Sequence, residues 1–166
     1  MTDLNCVLNS DDILSLSALS VDQKQQDANG RTPLHRAVAA SATDCALWLL
    51  DQSKEAVNVA DNQGETPLMR ASWLGNATVV EALLEGGADL HAKARTGGTA
   101  LHHAHGGTAP SCQAVIERLV KAGANPDAVD VDGKSPAQWS AFGQAIAAGE
   151  AVRNPPKPRT LSIKRR

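Results

Sequence analysis

The segment Thr32-Pro33-Leu34 returns as Thr66-Pro67-Leu68, 34 residues later, as Thr99-Ala100-Leu101 after a further 33, and as Ser135-Pro136 after 36 more. Self-similarity at this period is the signature of a solenoid, in which one supersecondary unit is copied and stacked. A copy this short cannot bury its apolar side alone. Each copy therefore leans on the next, and stability becomes approximately a sum over units and their interfaces.

The second copy carries its start and stop signals in sequence. Thr66 caps a helix, and Pro67 suits the first turn, where a missing N–H costs nothing. Leu68 and Ala71 share one face, and Gly75 ends that helix. Val79, Val80, Leu83 and Leu84 form the apolar stripe of a second helix, closed by Gly86-Gly87. Neither helix is long enough to stand alone in water. The first copy repeats the plan, with Cys45, Ala46, Leu49 and Leu50 inward on its second helix. Asp followed three residues later by Gly, at 27–30, 61–64 and 130–133, is turn chemistry. The predicted fold is all-α: stacked helix–turn–helix units with β-turn or hairpin tips.

The units run over 27–60, 61–93 and 94–129, with a partial unit at 130–148. Residues 1–26, with the narrow stripe Ile13, Leu16 and Leu19, read as a partial cap helix and lead-in. Residues 149–166 read as a flexible basic tail, because Pro155, Pro156 and Pro158 forbid a regular helix. Three places break the pattern. Gln52-Ser53-Lys54-Glu55-Ala56 replaces the terminating Gly of the first unit, and Ala94 stands where the third turn wants Asp. His105-Gly106-Gly107-Thr108-Ala109-Pro110-Ser111-Cys112 lengthens the third unit's inter-helix loop, which is expected to bulge and to be the least rigid part. The partial unit keeps only 144–148 for its second helix and so reads as a shortened end cap.

Thr-Pro-Leu-His at 32–35, Thr-Pro-Leu at 66–68, Thr-Ala-Leu-His at 99–102, the Asp-x-x-Gly turns, Gly87-Ala88-Asp89 and Gly123-Ala124-Asn125 resemble the ankyrin-repeat family. The resemblance covers roughly residues 11–143 and implies an ankyrin solenoid without catalysis or cofactor. It further implies a protein or peptide partner on the concave side, built from turn tips and the inward face of the first helices. Carried over residue by residue, the candidate partner-binding positions are Arg31, Arg36, Glu65, Arg70, Trp73, Leu74, Arg95 and His103. Trp73 beside Leu74, with Arg70 one turn back, has the composition of an interaction hot spot. Its other reading is packing over Ala39 and Ala40 of the preceding unit. Trp48 reads as a cover for the convex side or an inter-repeat gap, and Trp139 as a plug for the shortened cap.

Other chemistries find less support. His102, His105 and Cys112 offer metal-ligand types, but no fourth ligand accompanies them. His102 also matches the family's recurrent His, as His35 does, which serves structure near the helix start. Cys112 with His103 or His105 suggests a nucleophile and base, and an enzyme of that kind is the remote alternative. No oxyanion loop or orienting third group accompanies the pair. The glycine pairs lack the Gly-Lys-Ser/Thr of a phosphate loop. Neither a catalytic nor a metal site is expected.

Charge divides the chain. Residues 1–152 hold all 18 acids and ten Lys/Arg, a net −8, whereas 153–166 hold six Lys/Arg and no acid. The tail is a candidate targeting peptide or anionic-partner contact, so a nuclear or regulatory factor that works through it is the alternative function. Sequence-specific nucleic-acid reading is not expected from an acidic body with no recognition helix. There is no run of 18 apolar residues to span a membrane. Met1-Thr2-Asp3-Leu4-Asn5 lacks the layout of a secretory signal, and Cys6, Cys45 and Cys112 form no paired motif. The expectation is a cytoplasmic, possibly nuclear, monomer or one member of a hetero-complex.

Overall fold

The computed structural model describes residues 14–15, 21–52 and 54–140. The Ile13, Leu16 and Leu19 stripe, Phe142, the end cap's second helix at 144–148 and the tail at 149–166 lie outside the described residues. Six helices follow in order: α1 (Pro33–Ala39), α2 (Thr43–Gln52), α3 (Pro67–Leu74), α4 (Ala77–Glu85), α5 (Ala100–Gly106) and α6 (Cys112–Lys121). A further helical stretch begins at residue 136. No strand occurs among the described residues, and the expected tips are turns.

Helices α1, α3 and α5 pack side by side as one row, and α2, α4 and α6 as the other. The core lies between the rows. Leu34, Leu68 and Leu101 enter it from the first row, while Leu49, Leu83 and Leu119 meet them from the second. Alanines 37, 71 and 104 are buried beside them and let the helices approach closely.

Each first helix starts as its sequence dictates. Thr32 Oγ1 accepts from the His35 N–H, and Thr66 Oγ1 from the Met69 N–H, each with Pro next in the chain. Gly75 takes the left-handed conformation (φ 71°) that ends α3, and a side chain there would collide with Ser111. Asn76 then opens α4, its Oδ1 accepting from Val79 N–H while its Nδ2 donates to Thr43 Oγ1 of the preceding unit at 2.9 Å.

The turns bind the units together through the backbone. Asp27, Asp61 and Asp130 each accept two turn N–H groups on Oδ1, at 2.8–3.0 Å. Successive tips are then joined by Asn62 N–H to Asn29 O, Arg95 N–H to Gln63 O, and Val131 N–H to Thr96 O. The third turn, with Ala94 in place of Asp, keeps its shape through backbone bonds between 94 and 98 but has no carboxylate acceptor.

Two histidines add a second bridge between units. His35 receives the Thr32 N–H on Nδ1, which leaves Nε2 protonated to donate to Glu65 O of the next unit at 3.1 Å. His102 does the same with Thr99 N–H and Lys134 O. Met69 holds this position in the second unit, buried but unable to reach across. The lengthened loop of the third unit does not bulge freely. Gly107 lies against the Trp73 carbonyl, and Cys112 sets its thiol 3.6 Å from the same oxygen. The extra residues fill the space beside the open carbonyl end of α3.

Candidate functional site

Counting four residues on from each helix-starting Thr or Ser reaches Arg36, Arg70, His103 and Trp139. The four occupy equivalent positions in successive units, so they form one column along the first-helix row. Arg36 and Arg70 are half-buried, and so is Trp139, whereas His103 is 6% exposed. Trp73 and Leu74, at the end of α3, stand half-buried beside the column.

The two indoles meet over a glycine. A β-carbon on Gly106 would lie 2.8 Å from the Trp73 ring and 3.3 Å from that of Trp139, so α5 presents bare backbone to both. His103 is set between them, edge-on to Trp73 at 6.3 Å and tilted to Trp139 at 5.4 Å between ring centres. Trp139 also meets His102 edge-on at 5.3 Å, and its indole N–H donates to Asp130 Oδ2 at 2.8 Å. Burial works against ionisation of Asp130. The N–H groups of Lys134 and Asp132 and the Trp139 indole outweigh it and hold the carboxyl below the usual carboxylate range.

His103 Nε2 is buried with no hydrogen-bond partner among the described residues. Leaving such an atom unsatisfied costs about 1–3 kcal/mol. Burial, with neighbouring His102 and Arg70 adding to it, pushes the His103 pKa down to about 4, so the ring is neutral near pH 7. Arg70 also contributes to lowering the His35 pKa, where burial is the largest cause. Its positive charge therefore reaches both neighbouring units.

The remaining expected positions divide by role. Arg31 pairs with buried Asp61 across the unit boundary, Nε to Oδ2 at 3.6 Å, and so serves the stack. Glu65 is half-buried beside the column and Arg95 is exposed at its tip. Of the two roles open to Trp73, the ring turns toward the following unit through Gly106 and His103, while Ala39 and Ala40 stay exposed. Trp139, expected to plug the shortened cap, packs over Gly98 and Gly106 and against His102 and His103, on the side it shares with Trp73. Its position four residues after Ser135, in register with Arg36 and Arg70, is the sequence signal that marks it.

Among the described residues no group of three or more His, Cys, Asp and Glu side chains is placed to hold a metal ion. The His102 nitrogens are both committed to Thr99 and Lys134. Cys112 is buried, and burial raises its thiol pKa, away from the thiolate a nucleophile needs.

The family pattern described as ankyrin repeats, three copies, matches residues 5–94, and that of a single ankyrin repeat matches 96–131. The chain belongs to the ankyrin-repeat family. This ankyrin chain is 37% identical over 118 residues to the neurogenic locus notch homolog protein 1 of Danio rerio, covering 70% of its own length and 5% of that protein's. The human protein of the same name is 36% identical over 118 residues, with 70% and 4% covered. E3 ubiquitin-protein ligase KEG of Arabidopsis thaliana is 31% identical over 114 residues, with 66% and 7% covered. The chain thus spans only a small fraction of the length of these relatives. Its ankyrin stack is a protein-interaction module. No helix among the described residues is long and apolar enough to cross a membrane.

Proposed function

We propose that this ankyrin chain is a non-catalytic adaptor, scaffold or regulatory subunit that grips a protein or peptide on the concave face made by α1, α3 and α5. Trp73 and Leu74 are its apolar anchors, Arg70 and Arg36 its charged contacts, and His103 the floor between the indoles. The observation that carries this reading is the wall of Trp73 and Trp139 over Gly106, beside an arginine, Arg70, that has no ion pair among the described residues. A half-exposed tryptophan flanked by arginine is the side-chain mixture that dominates binding energy at protein interfaces. Cys112 is a free, buried thiol, which suits a reducing compartment such as the cytoplasm or nucleus.

The test is capture of partners from a cell lysate by the full chain, compared between wild type and a Trp73→Ser/Arg70→Ala double variant. Capture should be lost while the helical circular-dichroism signal remains. Capture that survives the double substitution places the grip elsewhere.

A further inference from the structure

The chemistry of the partner can be read from the same face, and this inference rests on the concave-face reading above. Adjacent packed helices lie about 8–10 Å apart. An extended polyproline-II chain advances about 3.1 Å per residue with about three residues per turn, so every third side chain of such a chain crossing the row points the same way and meets the next unit. Arg36 and Arg70 occupy equivalent positions in adjacent units, and the aromatic wall comes next along the column.

Among the described residues the carboxylates near this face are already engaged. Asp27 and Asp61 spend their Oδ1 on turn N–H groups, the Oδ2 of Asp61 faces Arg31, and the Asp27 carboxyl lies within reach of the charges of Arg31 and Arg36. Asp130 is taken up by its own turn and by Trp139. Glu65 makes no ion pair among the described residues, and it lies farther than ion-pair distance from Arg70. A guanidinium held half-buried in this setting matches a carboxylate supplied from outside.

The aromatic end adds a second requirement. The His103 ring is neutral near pH 7, and its Nε2 is buried without a hydrogen-bond partner among the described residues. A carboxylate could only accept from it, whereas a phenol hydroxyl donates or accepts, whichever tautomer the ring adopts. A phenol also brings a ring for the two indoles. Reaching Nε2 requires a covering ring to move. Trp139 is tied by Asp130, while the Trp73 indole N–H has no hydrogen bond among the described residues. Trp73 is the ring free to swing.

We propose that the concave face takes an extended acidic peptide whose carboxylates, three residues apart, meet Arg36 and Arg70, and whose tyrosine, about three residues on, displaces Trp73 and hydrogen-bonds to His103 Nε2.

The experiment uses the full chain and fluorescein-labelled synthetic peptides, read by anisotropy. The lead peptide has glutamates at its second and fifth positions and tyrosine at its eighth, in a Gly/Ser background. Expected is saturable binding that weakens about tenfold in Arg70→Glu. A peptide of the same composition with adjacent glutamates should bind several-fold more weakly. Phenylalanine for tyrosine should cost several-fold in wild type and nothing in His103→Phe. Equal binding of the patterned and rearranged peptides overturns the proposal. So does equal binding of a lysine-for-glutamate peptide, or equal competition by oligothymidylate, which would make the face a general polyanion site. Peptides selected from an unbiased display library separate the two levels of the argument. Trp73-dependent but non-acidic winners overturn the acidic assignment alone, whereas no Trp73-dependent winner overturns the concave-face reading as well. Circular dichroism on each variant confirms that the fold is retained.

Discussion

His103→Phe is the perturbation that most directly reads the environment between the two tryptophans. In the folded chain the His103 pKa stands at about 4 against an ordinary 6.5, with burial as the main cause. The unfolded state therefore binds a proton between those values that the folded state refuses. Stability is fully present above pH 6.5 and is lost as pH falls toward 4. Integrated from neutrality to pH 5, this one group removes about 2 kcal/mol. His35 and Asp27 also have lowered pKa values, the first from burial and the second chiefly from the Arg31 N–H, so the raw wild-type profile mixes several groups. The difference between wild type and His103→Phe isolates one. Phenylalanine keeps the ring between Trp73 and Trp139 and deletes the unpaired Nε2, so at pH 7 the variant should match or exceed wild-type stability, by up to about 1–3 kcal/mol. Urea unfolding of both proteins at pH 7.5, 6 and 5, followed by circular dichroism, gives the two curves. The gap between them should widen by about 2 kcal/mol toward pH 5 in favour of the variant. A gap that stays constant across that range refutes the buried, neutral assignment of His103.

Three further outcomes follow from the stack. Ala94→Asp supplies the third turn with the acceptor that Asp27, Asp61 and Asp130 provide in theirs, and thermal melting should rise, by about 1 kcal/mol in stability; an unchanged or lower midpoint contradicts the role given to these carboxylates. Met69→His places an imidazole where His35 and His102 bridge the units, with Thr66 ready at its Nδ1, and should add about 0.5–1.5 kcal/mol in the same assay unless the bridge is worthless. Cys112, buried with a raised thiol pKa, should react with a thiol reagent at neutral pH far more slowly than free cysteine; rapid, selective labelling would reopen the nucleophile reading.

Much of this fold is legible in the chain because its rules are local. Each first helix starts on a hydroxyl, followed by Pro in three of the four units, and three of the four turns carry Asp and then Gly, at a near-constant interval from Thr32 to Ser135. The six helices follow from them. The site is less legible because it is made across units. His103 has the same register as Arg36 and Arg70, which alone implies exposure; it is buried because Trp73 from the preceding unit and Trp139 from the following one close over it. Gly106 reads in sequence as a loop residue, and only the approach of two indoles shows that it is the surface on which they meet. The loop after it looks free in sequence, yet its cysteine seats against carbonyls of a helix some forty residues earlier.

Amide hydrogen exchange on the full chain, with and without a saturating peptide selected for Trp73-dependent binding, tests the central claim most directly. Slowed exchange should concentrate in α3, α5 and the turns that precede them, with α2, α4 and α6 unchanged on their outer sides. Protection centred on the second-helix row, leaving residues around Trp73 and His103 as they were, would contradict it.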